Sequence, residues 1–351
     1  MTELKTIFVD VGQGDCTLLQ LPDGRYMLID VCRVTSKGID IFKLLDDVLP
    51  DGSDGRKKLD ILAITHAHDD HITGIGDLYE RYEVEWLWVP QHEDRKKLAT
   101  HFGEYQDVVD KRPEDKVLRP QGSRTPINET DDSYSLGDGV TVRCFSPPGF
   151  IKIDESLSED DAKQLVHENC LVLRVEFEGS SVLITGDSNV ACWKRIEGYY
   201  PDEVEEDVLQ SDVLQASHHG SRAFVKDGGE DSEPWTDALD AIAPEYVVVS
   251  VGEDNRHSHP HEDMMDIYRG VVAEEDKVME TSQSGTVVAV FDANGAEVEA
   301  NDGSYAEQYG WDEDDDSDED DAKSDGGGGK ASTLSKSRRR SPTRLDNSPA
   351  A

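Results

Sequence analysis

No run of about 18 apolar residues occurs in the 351-residue chain, so no segment is expected to cross a membrane as a helix. The first residues, Met1-Thr2-Glu3-Leu4-Lys5, lack a cationic head followed by an apolar stretch and a small-residue cleavage site, so no secretory leader is expected. Cysteine is scarce. Cys16, Cys32, Cys144, Cys170 and Cys192 are scattered, odd in number and include no C-x-x-C pair, which points to reduced, buried thiols and a cytoplasmic location. Positive charge is scarce too: 35 Lys and Arg stand against 76 Asp and Glu, a net −41. Residues 301–351 hold 13 acids and 7 bases, or −6, which leaves −35 on the rest. Such a surface repels polyanions at low salt and argues against broad non-specific nucleic-acid binding, although a local cationic metal site can still admit one phosphate.

What is present reads as one globular region, residues 1–296, followed by a tail, 297–351. Thr6–Val11 and Thr17–Leu21 read as strands, and Pro22-Asp23-Gly24 turns the second into a hairpin with Tyr26–Val31. Gly38–Val48 carries Ile41, Leu44, Leu45 and Val48 at helical spacing. Leu59–Thr65 is a short apolar run, and Ile72–Tyr82 reads as a helix. Further strands are predicted at Glu85–Val89, Val140–Ser146, Leu171–Phe177, Ser181–Thr185, Val213–Ala216, Tyr246–Val251 and Thr286–Asp292, with a helix at Glu262–Val272. The alternation indicates an α/β architecture. In the tail, Asp312–Asp321 is nine acids in ten residues, and Gly326–Gly329 and the cluster Arg338-Arg339-Arg340 follow. No apolar period survives there, so disorder is expected, with a protein partner as one use for the acidic run.

The chemistry concentrates at the exit of Leu59–Thr65, in His66-Ala67-His68-Asp69-Asp70-His71. Four metal-type donors in six residues suit zinc, manganese or iron. His66 and His68 share one side of an extended segment, which leaves Asp70 and His71 to reach a second ion. Further donors are available at His167, Asp187, His218, His219, His257, His259 and His261. Asp187 ends the apolar strand of Leu183-Ile184-Thr185-Gly186-Asp187, where a bridging carboxylate would sit. His218 and His219 follow Val213–Ala216 and point to different sides, so one would serve metal and the other substrate. Gly12 and Gly14 in Asp10–Asp15 allow either a loop lining the pocket, with Asp15 near the site, or a tight turn. They do not form a dinucleotide fingerprint, because no third glycine follows at the needed spacing.

H-x-H-x-D-H, then Thr185-Gly186-Asp187, then His218-His219-Gly220-Ser221 resembles the metallo-β-lactamase-fold hydrolases. Asp10-Val11-Gly12-Gln13-Gly14-Asp15, Ser258-His259-Pro260 and Ser284-Gly285-Thr286 narrow the resemblance to the C-terminal hydrolase domain of ComEC-type competence proteins, over roughly residues 5–292. The resemblance implies an αββα four-layer sandwich of two mixed sheets with outer helices. It implies two divalent metal ions, zinc or manganese. His66, His68 and His167 would hold the first, Asp70, His71 and His219 the second, and Asp187 would bridge them. Asp30 would orient a metal-bound histidine from behind. Two departures stand out: the family often carries Asn where His167 stands, and commonly Gly where Cys32 stands. No channel-forming region accompanies the domain, so a role in DNA uptake does not transfer.

A metal pair lowers the pKa of a bridging water and yields hydroxide near neutral pH. Asp70 would orient that nucleophile, and His218 and His259 would donate to a phosphate oxygen or the leaving group. His257 and His261 read as structural. The leading function is a phosphodiesterase or nuclease acting on nucleic acid or a small nucleotide. The alternatives are hydrolysis of a carboxylic ester, thioester or lactam, and a non-catalytic metal-binding interaction module. The −35 charge favours a small or single-ended substrate.

Overall fold

A computed structural model describes residues 3–311, apart from 35–37, 95–97, 131–135, 138, 201–207, 228–231, 254 and 302. The acidic and arginine-rich part of the expected tail lies outside the described residues. The strands, in chain order, are β1 (Leu4–Phe8), β2 (Thr17–Gln20), β3 (Tyr26–Ile29), β4 (Lys57–Ala63), β5 (Tyr82–Trp88), β6 (His92–Asp94), β7 (Val117–Leu118), β8 (Val140–Ser146), β9 (Ile151–Ile153), β10 (Val172–Phe177), β11 (Ser180–Ile184), β12 (Val213–Gln215), β13 (Tyr246–Val249), β14 (Val278–Glu280), β15 (Val287–Asp292) and β16 (Gly295–Ala300).

Eight strands form one mixed sheet in the order β16-β15-β1-β2-β3-β4-β5-β7, and six form a second in the order β14-β13-β12-β11-β10-β8. The antiparallel β2–β3 pair is the expected hairpin. From β3 through β4 and β5 to β7 the first sheet is parallel, as is the second from β11 to β14.

Period-two burial explains the layering. On β11, Val182 and Ile184 enter the core between the sheets, while Leu183 faces the opposite side. The inter-sheet core adds Phe8, Met27, Ile61, Leu173, Val248 and Phe291. Outside the first sheet, Leu18, Leu28 and Leu62 pack against Phe42 and Leu45 of helix Ile41–Val48 and Leu78 of helix Ile75–Arg81. Outside the second sheet, Leu183, Leu214 and Val247 pack against Trp193 of helix Val190–Tyr199 and Met264 and Tyr268 of helix Glu262–Val271. Three apolar interlayers thus separate four layers, helices on both outer faces, which is the expected αββα arrangement. A small satellite core around Ile153, Ala162 and Val166 carries helix Glu159–Glu168.

Two expectations are corrected. The helix read over Ile72–Tyr82 is broken. Helix Asp69–Ile72 ends before Gly74, which has φ +90°, and helix Ile75–Arg81 begins after it. A left-handed residue cannot continue a right-handed helix. The boundary at 296 falls inside β16, whose only buried side chain is Val298, between exposed Glu297 and Glu299. A one-sided edge strand that brings only Val298 and the small Ala296 to the core carries little hydrophobic signal. The chain then continues into helix Ser304–Tyr309, where the Tyr309 hydroxyl donates to Asp47 at 2.8 Å and the Asp40 N–H donates to the Tyr309 carbonyl at 2.8 Å.

Candidate metal centre

The carboxyl ends of parallel strands collect the chemistry, the usual place for a site in such sheets. The His66–His71 loop leaves β4, Asp187 follows β11, His218 and His219 follow β12, and His259 lies in the loop after β13. Helix Glu159–Glu168 brings in His167 beside its C-terminus.

Two loops from different sheets meet because of one glycine. Gly186 has φ +49°, and a Cβ there would stand 2.9 Å from the Thr65 side chain. Its neighbour Asp187 is thereby set against the His66 loop. Gly186→Ala is therefore expected to cost about 2–4 kcal/mol, from left-handed strain and overpacking together. Urea denaturation of the metal-free protein measures it, and an unchanged midpoint would contradict the close approach.

Two groups of donor atoms converge on Asp187, each with its atoms within 4.8 Å of one another: His66, His68, His167 and Asp187, and Asp70, His71, Asp187 and His219. In the first, His68 Nδ1 is 3.1 Å from both His66 Nε2 and His167 Nε2. Asp187 Oδ2 is 3.6 Å from His66 Nε2 and 3.5 Å from His167 Nε2. In the second, Asp187 Oδ1 is 3.1 Å from His71 Nε2, and Asp70 Oδ2 is 3.2 Å from His219 Nε2. A tetrahedral ion with bonds of about 2.0–2.1 Å holds its donors roughly 3.4 Å apart, so the spacing fits. The donor chemistry fits as well. His71 Nε2 and Asp187 Oδ1 are buried with no hydrogen-bond partner among the described residues, and buried polar atoms without partners are rare unless a ligand completes them.

The ring nitrogens behind the donors are tied down. Asp30, with φ +59° and 1% exposed, accepts from the Thr65 N–H (2.6 Å) and hydroxyl (2.6 Å), and pairs with His71 Nδ1 at 2.8 Å. Nδ1 of His219 donates to the Ser250 carbonyl at 2.8 Å. Each contact leaves Nε2 turned toward the centre. His68 is different: it presents Nδ1.

Burial pushes His66 and His167 well below the ordinary imidazole range, with neighbouring histidines adding to the effect, and it pushes His68 down to about 4. These rings are neutral and ready to ligate. Burial acts the same way on His71, yet Asp187, Asp30 and Asp70 outweigh it and hold the ring well above its usual value. His219 reaches about 9 against burial, chiefly through Asp15 and Asp70. Burial raises Asp15 to about 6, opposed by His219 and His71, at 3.6 Å and 3.8 Å.

The seven residues that the resemblance assigns to metal therefore meet in one place, His167 included. Asp15 and Asp30 stand behind the centre. His218 Nε2 lies 3.5 Å from Asp187 Oδ2, and its ring is 5.2 Å from that of His259. Both line a cavity of about 940 Å³ that opens on Asp70, His68 and His167. His257 also lines it, while His261 Nδ1 accepts from the Arg222 N–H at 3.1 Å, in keeping with a structural part. Sequence reasoning passed over Thr65, Ser250 and Asn255. Ser250 acts through its carbonyl, for which no side-chain pattern exists.

Residues 9–143 match the family model of the Metallo-beta-lactamase superfamily. The chain is 26% identical over 292 residues to ComE operon protein 3 of Bacillus subtilis (strain 168), covering 80% of this chain and 32% of that protein. It is 33% identical over 150 residues to competence protein ComA of Neisseria gonorrhoeae, covering 43% of this chain and 18% of that protein. The chain thus spans at most a third of either relative. Among solved structures it is similar to the metallo-beta-lactamase fold protein YhfI of Bacillus subtilis, with TM-score 0.42, 12% identity and coverage of 79% of this chain and 95% of the other. It is also similar to Igni18, a metallo hydrolase of Ignicoccus hospitalis, with TM-score 0.45, 14% identity and coverage of 79% and 94%. Residues 9–143 are thus similar to the metallo-β-lactamase superfamily, the two-sheet architecture with outer helices is consistent with that fold, and the His/Asp cluster is able to hold metal.

Proposed function

We propose that this domain is a binuclear metal-dependent phosphodiesterase, acting on nucleic-acid or small-nucleotide diesters with zinc or manganese. The observation that carries the reading is the single carboxylate of Asp187 facing two donor groups, Oδ2 toward His66 and His167 and Oδ1 toward His71. A phosphodiester needs charge compensation at both the attacking and the leaving oxygen, which a pair of ions satisfies better than one. The similarity to a ComE operon protein favours nucleic-acid chemistry over ester or lactam hydrolysis.

In this reading His66, His68 and His167 would hold one ion, Asp70, His71 and His219 the other, and Asp187 would serve both. Bound ions would acidify a water and offset charge on the phosphoryl oxygens. The remaining work belongs to the chain. Asp30 and the Ser250 carbonyl keep the His71 and His219 rings from turning. Asp70, at the cavity wall, orients the nucleophile. His218 and His259 each have a buried Nδ1 without a hydrogen-bond partner among the described residues. Burial and the neighbouring rings push His259 down to about 3, so it meets substrate as a neutral ring. It then donates a hydrogen bond to a phosphoryl oxygen, and the anionic substrate itself raises its basicity toward proton transfer. The five cysteines are free and buried, which suits a reducing compartment such as the cytoplasm.

Protein loaded with manganese or zinc is expected to hydrolyse bis-p-nitrophenyl phosphate, to lose that activity to a chelator, and to leave nitrocefin intact. Turnover of nitrocefin alone would sink the phosphodiesterase reading.

A further inference from the structure

The loop after β13 is held open by one side chain. Asn255 Oδ1 accepts from the N–H groups of His257 (3.2 Å) and His259 (2.9 Å), while its Nδ2 donates to the carbonyls of Gly252 (3.1 Å) and His259. At the loop's start a Cβ on Gly252 would collide with the Gln13 backbone nitrogen, so the loop is pressed onto the Asp10–Asp15 segment. Between these fixed points sits Arg256, exposed and on the wall of the 940 Å³ cavity.

Arg256 differs from the other described guanidinium groups, each of which has a hydrogen-bond or ion-pair partner, carbonyls in the case of Arg112, Arg143 and Arg195. Arg33, Arg56, Arg81 and Arg222 each face a carboxylate. Among the described residues Arg256 has neither an ion-pair nor a hydrogen-bond partner. The other permanent cation among the described residues of the cavity wall, Lys163, is held by Glu159 at 2.8 Å. Asp10 and Glu253 line the same cavity. Among the described residues the wall therefore offers one uncommitted fixed positive charge, with carboxylates beside it. A strand running through the cavity would carry further phosphates past Asp10 and Glu253, whereas a substrate with one extra phosphate would meet only Arg256.

On the phosphodiesterase reading, we infer that Arg256 is a substrate-anchoring residue for a single terminal phosphate. The substrate class is then a short phosphodiester bearing one, a small phosphorylated nucleotide or the phosphorylated end of a strand. The planar guanidinium fork matches two phosphate oxygens at once, which an ammonium does not.

The test compares kcat/KM for a dithymidine diester with and without a terminal 5′-phosphate, in the metal-loaded protein. The phosphate is expected to raise kcat/KM about tenfold, mainly through KM. Arg256→Gln should bring that ratio toward one with metal content unchanged, and Arg256→Lys should restore it only in part. A wild-type ratio near one, a ratio unaltered in Arg256→Gln, or faster cleavage within a long single strand than of the short diester would overturn the inference. If no diester is hydrolysed, the phosphodiesterase reading fails by itself. Equilibrium binding of a phosphorothioate-linked dinucleotide then decides for Arg256. Tighter binding with the terminal phosphate, lost in Arg256→Gln, supports the anchor, and equal affinities refute it.

Discussion

On the binuclear proposal, Asp187→Ala is expected to strip both ions from the protein while leaving the fold standing. The Asp187 carboxylate contributes an oxygen to each donor group, so its removal opens both at once. Metal content measured by plasma mass spectrometry should fall from two ions per chain to fewer than one. Phosphodiester turnover should fall by more than the roughly 10–100-fold that loss of an outer partner produces. Stability should behave differently. No backbone donor rests on Asp187 among the described residues, and its Oδ1 is a buried atom without a hydrogen bond. Truncation leaves no backbone group stranded, but it takes a counter-charge away from His71 and the neighbouring rings, whose attraction outweighs the burial of this carboxylate. Metal-free Asp187→Ala should thus fold but melt modestly below the metal-free wild type at neutral pH, and the rise on adding metal should vanish. A variant that keeps two ions would remove the bridging assignment.

Asp30 is expected to give the opposite pattern. Its carboxylate takes the Thr65 N–H, the Thr65 hydroxyl and His71 Nδ1 at 2.6–2.8 Å, fully inside the protein. Asp30→Ala leaves those groups without a partner next to buried charges, at a cost of about 3–5 kcal/mol. Its φ of +59° adds left-handed strain for alanine. Asp30→Asn is the sharper probe. Asparagine tolerates that backbone, and its amide oxygen can still accept from the Thr65 N–H. Its NH2 then faces His71 Nδ1 and cannot accept a proton from it. The ring is driven to carry its proton on Nε2, the nitrogen turned toward Asp187. Asp30→Asn should fold with a modest loss of stability, yet bind the second ion about 10–100-fold more weakly. Denaturant midpoints and metal titration separate the two effects, and wild-type affinity in Asp30→Asn would dismiss the orienting role.

Much of this centre was legible because its donors are adjacent in the chain or stand at strand ends. A strand announces itself by period-two burial, as in Val140–Ser146, where the expected and observed limits agree. A donor just past such a strand is brought to the sheet's carboxyl edge by the strand itself. His66, Asp187 and His219 were readable for that reason. His167 followed only from resemblance, because it rides on a helix with a small satellite core, and a buried histidine near a helix end has no pattern of its own. Thr65 was missed although it adjoins His66. Its part comes from Asp30, 35 residues away, and no spacing rule connects them. Arg256 has no sequence signal of its own, since whether a loop cation finds a partner among the described residues depends on what the fold brings beside it.

The sequence alone determined the donor types, their places on loops after predicted strands, and hence metal-assisted hydrolysis as the expected chemistry of the His66–His71 run. Those are local properties, set by residue identity and by a backbone period of two. Only the tertiary structure decided which atoms meet. Two sheets had to stack through Phe8, Ile61, Leu173 and Val182 before their carboxyl ends coincided. Gly186 had to press against Thr65 before Asp187 could face both donor groups. His68 had to present Nδ1 where its neighbours present Nε2. Ring orientation and sheet stacking depend on contacts between residues far apart in the chain, and those contacts leave no period in the sequence.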